Sequence, residues 1–179
     1  MSPPFETPSL EEYAPYQEEY VRRVRGEDVL AMLERQPAEL RSALEKLSEQ
    51  QALFRPAPKE WSIKEVIGHI NDCERIFFYR ALCISRGETQ SLPGFDQDDY
   101  VSATEFDAYS LQEILDEFDL TRQANLISLR HFSAEIGQRR GLANDRVISV
   151  RAQVYIMAGH VAHHLESLNI VYLNALKDS

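Results

Sequence analysis

Apolar residues in this 179-residue chain recur at three-, four- and seven-residue steps across four long segments, with no convincing strand alternation anywhere. Steps averaging 3.6 gather side chains on one face of a helix, whereas a half-buried strand needs a step of two. The first stripe, in residues 27–47, consists of Leu30, Leu33, Leu40, Leu44 and Leu47. Pro37 lies inside it and predicts a kink or a restart, because proline has no N–H to bond four residues back. The second segment, 62–86, opens on the capping box Ser62-Ile63-Lys64-Glu65 and stops at Gly87. Its inward residues are Ile63, Val66, Ile70, Cys73, Phe77, Ala81 and Ile84, with His69 one residue off that line. A second capping box, Ser110-Leu111-Gln112-Glu113, opens the third helix, which runs to about residue 132. The fourth runs from about 149 to 176 on Val150, Val154, Met157, Val161, Leu165 and Leu168.

The 7 glycines and 8 prolines fall mostly in the first 15 residues, near 54–59 and between 87 and 94, which leaves the four segments nearly free of helix breakers. The pattern predicts an all-α four-helix bundle with a long crossover, residues 88–109, between the second and third helices. Connections of that length tend to be functional or mobile. Residues 1–26, rich in Pro, Tyr and Glu, read as an arm packed over the bundle. Residues 27–179 read as one domain.

Charge narrows the function. A net charge of −10 repels phosphate backbones, and the clusters Arg22-Arg23-Arg25 and Arg139-Arg140 are too short to reverse that, so nucleic acid is not an expected partner. No apolar run reaches the roughly 18 residues of a membrane span, and the start of the chain lacks the basic and apolar regions of a signal peptide. Cys73 and Cys83 sit ten residues apart on one expected helix. Their Cα atoms are then about 15 Å apart, beyond the roughly 7 Å reach of a disulfide. A cytoplasmic protein is expected.

Three of the five histidines lie within five residues, in Gly159-His160-Val161-Ala162-His163-His164. Positions i and i+4 are neighbours on a helix, so His160 and His164 can share one ion, while His163 points about 100° away. A third ligand must come from another helix. His69 lies near the core face of the second helix, whereas His131 closes the third at its end. Spacing alone leaves two readings open: a three-histidine metal site, or buried rings satisfied by hydrogen bonds. If a metal binds, three neutral imidazoles leave at least one position open for water or substrate, as in catalytic zinc sites. Imidazoles also suit Ni²⁺, Cu²⁺ and Fe²⁺.

The run Trp61-Ser62-Ile63-Lys64-Glu65-Val66-Ile67-Gly68-His69 resembles the W-S-x-(K/R)-E-x-(I/L)-x-H opening of the DinB-like proteins. These are damage-inducible metal-binding bundles, unrelated to the translesion polymerase of the same name. Leu92-Pro93-Gly94-Phe95-Asp96-Gln97-Asp98-Asp99-Tyr100-Val101 is similar to the crossover loop of one subgroup. Ser149-Val150-Arg151-Ala152 and the Ala158–Leu165 stretch resemble that subgroup's last helix. The likeness begins at about Tyr13. It implies that His69, His160 and His164 bind one divalent ion, Zn²⁺ or Ni²⁺. It also implies a frequent homodimer and a small-molecule substrate, in some members together with a low-molecular-weight thiol. Activities in the family include thiol transfer, a mycothiol-dependent isomerisation and metal-dependent hydrolysis. One departure stands out: many relatives carry Gln three residues after the last ligand, where this chain has Ser167. Substrate contacts that use the Gln therefore do not carry over.

Around these histidines, Cys73 reads as a core filler and Trp61 as a plug of the bundle end. Glu74 is equally suited to orienting a ligand histidine or to an ion pair with a neighbouring helix. Arg151 is expected to pair with an acidic loop, and His163 to face solvent or a dimer contact. Asp96, Asp99 and Tyr100 belong to a loop that packs Phe95 and Tyr100 onto the bundle. Two functions are compatible with this reading. One is a metal-dependent thiol transferase or hydrolase acting on an electrophilic small molecule. The other is a non-catalytic, metal-stabilised binding or stress-response module, suggested by the lack of an obvious general acid or base beside the histidines.

Overall fold

A computed structural model of the chain describes residues 5–177; the first four residues of the expected arm and the last two of the chain lie outside them. Two single-turn 3₁₀ helices, Leu10–Glu12 and Pro15–Gln17, lead into α1 (Glu18–Arg23). Then follow α2 (Val29–Leu44), a single turn α3 (Glu49–Ala52) and α4 (Ile63–Ser85). The crossover carries α5 (Gln97–Ser102) and a 3₁₀ turn, Phe106–Ala108. After it come α6 (Leu111–Leu129), the short α7 (Ala134–Gln138), a hairpin of β1 (Arg140–Ala143) and β2 (Arg146–Ser149), and α8 (Val150–Ser167). A π-helical stretch, Leu168–Leu173, joins α8 to α9 (Asn174–Lys177).

Both capping boxes form. Ser62 Oγ accepts from the Glu65 N–H at 3.0 Å while Glu65 accepts from the Ser62 N–H at 2.8 Å, and Ser110 and Glu113 exchange the same bonds. Gly87 follows α4 with φ +88°, the left-handed conformation in which a side chain would be strained.

The direction of each helix follows from what it buries. Leu40 and Leu44 of α2, Ile63–Ile70 of α4, Leu111–Phe118 of α6 and Val161 of α8 share one apolar cluster. Leu33 of α2, Cys73–Ile84 of α4, Leu126 and Leu129 of α6 and Val150–Ala158 of α8 share the other. Hence α2 and α8 run one way, and α4 and α6 the other. Joining the parallel pair α4 and α6 requires the long crossover.

Pro37 does not restart α2, which continues through it as one helix. The proline leaves the Leu33 carbonyl without its helical donor, and Arg122 of α6 takes that place, donating from Nη1 at 3.0 Å. The same guanidinium grips Glu74 of α4 with two bonds of 2.8 Å and donates to Gln36 Oε1 at 2.9 Å. Asn125 donates to Glu74 at 2.8 Å, and Gln36 donates to the Ala158 carbonyl of α8 at 2.6 Å. One buried polar hub thus ties α2, α4, α6 and α8 together between the two apolar clusters. Glu74 is spent on this ion pair, which decides between its two expected roles.

The segment after α6 is not plain loop. Asn144 and Asp145 adopt φ of +51° and +55°, the paired left-handed turn that suits a tight hairpin, and Ala143 pairs with Arg146 across it. Leu92 of the crossover adds two backbone bonds to the hairpin, from its N–H to the Leu142 carbonyl and from the Asn144 N–H to its own carbonyl, both 2.9 Å. The crossover is also less loop-like than expected, because the Asp96 carboxylate caps α5 through the Asp98 and Asp99 N–H groups at 2.9 and 3.1 Å.

Residues 5–24 share the core of the bundle, with Phe5, Tyr13, Val21 and Val24 all buried against α8 and its neighbours. Arg23 pairs with Glu166, and Arg151 donates to Glu12 at 2.6 and 2.8 Å. Burial by itself would raise the Glu12 carboxyl, but bonds from Arg151 and the Ser9 N–H outweigh it and bring the pKa from 4.5 down to about 2. A carboxyl lowered on folding stabilises fully above its unfolded pKa and loses that contribution as pH falls toward about 2. Glu12→Gln is therefore expected to cost about 2 kcal/mol at pH 7. Denaturant unfolding should show the gap between variant and wild type narrowing steadily below pH 4.5; a gap independent of pH would rule out the carboxylate as the anchor.

A glycine decides how close the arm comes. A Cβ on Gly159 would stand 2.5 Å from the Tyr20 carbonyl carbon and 2.9 Å from its Cα, and backbone atoms cannot step aside. Gly159→Ala gains up to about 1 kcal/mol in helix propensity. The overpacking it imposes costs about 1–3 kcal/mol or more, so the clash should win. A melting temperature lower by several degrees, with loss of the Tyr20 contact to α8, is the expected result; an unchanged or raised melting temperature would show that α1 can move away at no cost.

Candidate metal centre

His69 lies in the second turn of α4, directly after the Ser62 cap, and His160 and His164 lie one turn apart on α8. Because the two helices are antiparallel and both stripes face inward, the three rings meet at the seam between the apolar clusters. The Nε2 atom of His160 stands 3.0 Å from that of His69 and 3.1 Å from that of His164. One ring nitrogen from each of the three lies within 4.8 Å of the others, and no other group of three His, Cys, Asp or Glu comes together this way among the described residues. His69 and His160 are 2% and 3% exposed, so the expected edge position of His69 is in fact interior.

Burial pulls the His69 pKa from 6.5 to about 4, with a smaller push from His163. His160 and His164 fall well below the ordinary value, again through burial first and the neighbouring rings second. All three rings are neutral at pH 7, the form that binds metals.

Whether the residues fit an ion can be tested on their contacts. A neutral imidazole nitrogen is either a donor or an acceptor, never both. His160 Nε2 therefore cannot make two good hydrogen bonds to the nitrogens on either side of it. A cation where the three converge would take all three lone pairs. Nitrogens about 2.0–2.1 Å from a tetrahedral zinc stand roughly 3.3 Å apart, close to the spacings seen here. The donor set fits a divalent transition metal.

The rings are walled by aromatic side chains. Trp61 lies against His69 with ring centroids 4.9 Å apart, and Phe77 and Tyr20 meet His160 edge-on, both at 5.4 Å. Trp61 thus does more than close the bundle end. Tyr20 comes from the arm, where nothing in the sequence singled it out except its place in a stretch rich in Pro, Tyr and Glu. Cys73 Sγ is 3.7 Å from the His69 ring nitrogens, and burial pushes its thiol pKa up, so it remains a neutral filler. His163 is half-buried against Tyr20 and His164, and its Nδ1 has no hydrogen-bond partner among the described residues. Arg151 is held by Glu12, and Asp96 and Asp99 lie exposed at the α5 cap and are not among the residues lining the cavity beside His160.

Beside His160 opens a cavity of about 230 Å³, lined among others by Tyr20, Cys73, Phe77, Arg80 and Phe95. Phe95 lies tilted against Tyr100 with centroids 5.2 Å apart; Phe95 packs on the core and forms one cavity wall, while Tyr100 is exposed.

The fold has close counterparts. YfiT from Bacillus subtilis, described as a probable metal-dependent hydrolase with an unusual four-helix bundle topology, superposes with a TM-score of 0.76 at 15% identity, over 98% of both chains. A mycothiol-dependent maleylpyruvate isomerase superposes with a TM-score of 0.64 at 10% identity, over 79% of this chain and 59% of the isomerase. No curated protein sequence matches. No helix among the described residues is long and apolar enough to cross a membrane. The sequence matches the DinB superfamily model over residues 32–168, most of the bundle, and the protein belongs to the DinB superfamily.

Proposed function

We propose that His69, His160 and His164 hold one divalent transition-metal ion, zinc or nickel, and that the centre acts on a small electrophilic substrate by thiol transfer or hydrolysis. The observation that carries this reading is the convergence of three neutral Nε2 atoms that cannot satisfy one another. Bound there, the ion supplies Lewis acidity and favours the deprotonated form of a water or thiol. The three rings would hold it, and His160 among them lines the adjoining cavity. Trp61, Phe77 and Tyr20 keep bulk water from the rings. Tyr20, its phenol pushed up to about 12 chiefly by burial, keeps its proton at neutral pH and is a hydrogen-bond donor at the cavity wall. The small-molecule partner, with a low-molecular-weight thiol, accords with the hydrolase and isomerase whose folds are similar. The reading includes a homodimer, as the family resemblance implies, and a cytoplasmic location, as the unpaired cysteines suggest.

A second reading is favoured by one observation. Glu74, the fully buried acidic side chain nearest in sequence to His69, is committed to Arg122 and is not free to act as a general base. On that reading the ion clamps α4 to α8 and the protein is a metal-stabilised binding module. The test is to assay zinc- and nickel-loaded protein, before and after chelation, with a panel of low-molecular-weight thiols, electrophiles and activated esters. Turnover that disappears with the metal and returns on reloading supports the enzyme. No turnover in any combination, together with a melting temperature that drops on chelation, selects the clamp.

A further inference from the structure

Among the described residues of this acidic protein three Lys or Arg side chains are buried: Lys64, Arg80 and Arg122. Lys64 pairs with Glu49 at 2.6 Å and Arg122 with Glu74 at 2.8 Å. Arg80, only 6% exposed, has no carboxylate partner among the described residues. One of its amino groups donates to the Pro93 carbonyl at 2.7 Å, its Nε is buried without a partner, and its guanidinium lies 5.8 Å from the centre of the Phe95 ring. A buried cation left without a counter-charge is costly, and in a chain of net charge −10 a carboxylate partner was readily available. Arg80 instead borders the cavity that reaches His160.

We infer that this cavity binds a small carboxylate, with Arg80 as the counter-charge. This rests on the proposed function only in taking the cavity as the substrate's place. The walls choose the kind of anion. Phe77, Phe95 and Ile156 give the cavity an apolar side, facing polar residues such as Gln17, Gln97 and Asn144, which suits a single carboxylate on a partly apolar body. Arg80 is the single formal cation among the lining residues, which balances a monocarboxylate but not a phosphate dianion. The run from Cys73 to Arg80 spans roughly 10 Å of helix, so the carboxylate sits several atoms from the end of the ligand that meets the histidines. Arg80 is a specificity-determining residue, remote from the reacting atoms.

The test uses metal-free protein, so that no carboxylate can bind an ion and the result does not depend on the metal reading. Benzoate and hexanoate are titrated by calorimetry, each beside its neutral amide. The expected result is that at least one acid binds and exceeds its amide by about 10-fold or more. Arg80→Gln should remove that preference while leaving the amide's affinity within about 2-fold, and Arg80→Lys should restore part of it. Acid and amide binding equally, or neither acid binding, would overturn the inference, and the comparison within wild-type protein holds even if a variant fails to fold. Metal content, measured separately, decides the other reading.

Discussion

His160→Ala is expected to empty the metal centre. Its Nε2 is the atom that both other rings approach, at 3.0 and 3.1 Å, so its loss removes one ligand and the geometric centre of the set. Structural zinc sites with four ligands bind with about 10–16 kcal/mol. Losing one of three ligands should therefore weaken binding by roughly 10³-fold or more, on the order of one ligand's share of that energy. His163→Ala is the matched control. It lies on the same helix, one residue from a ligand, yet outside the converging set, and it should retain the metal within about 10-fold, the effect of a neighbouring rather than a ligating group. Competition with a chromogenic chelator measures both. Equal losses in the two variants would mean that the ring geometry does not determine binding.

Arg122→Met is expected to be the most destabilising single change in the bundle core. It strands the Glu74 carboxylate, whose side chain is 1% exposed, and frees the Leu33 carbonyl that Pro37 cannot bond. Breaking a buried pair in this way costs about 3–5 kcal/mol, which in a chain of this size is a fall of roughly 6–20 °C in melting temperature. The loss of hydrogen bonds and the stranding of charge can be separated by adding Glu74→Leu. If the stranded charge dominates, the double variant regains much of the loss, with a coupling of about 2 kcal/mol or more. If the second change adds its own full cost, the hub is a set of independent bonds. Because Gln36 links the hub to the Ala158 carbonyl, two residues before His160, a shift in metal affinity should accompany the loss of stability.

The bundle was legible because its signals are local and repeated. Stripes of Leu, Ile and Val set the helices, and the serines at 62 and 110 set two helix starts to the residue. The pairing of His160 with His164 is likewise a property of one turn of helix. What escaped detection depends on partners distant in the chain. Pro37 alone says break; only Arg122, 85 positions later, explains why α2 carries on. Arg122 sits four residues after Phe118, on the buried stripe of α6, and an arginine in that register was the available signal for a buried ion pair. Asn144-Asp145 between two short apolar pairs was a turn signal for the hairpin, weak because its strands have only four residues each. Tyr20 had no local signal, since its contact with His160 depends on the close approach that Gly159 allows.

Metal content by elemental mass spectrometry tests the central claim most directly. Untagged wild-type protein, purified without added metal and again after incubation with Zn²⁺ or Ni²⁺, should carry close to one ion per chain, and His160→Ala prepared in parallel should carry almost none. A wild type that stays metal-free after incubation with either ion would contradict the account, leaving His69, His160 and His164 as a buried cluster of neutral rings and nothing more.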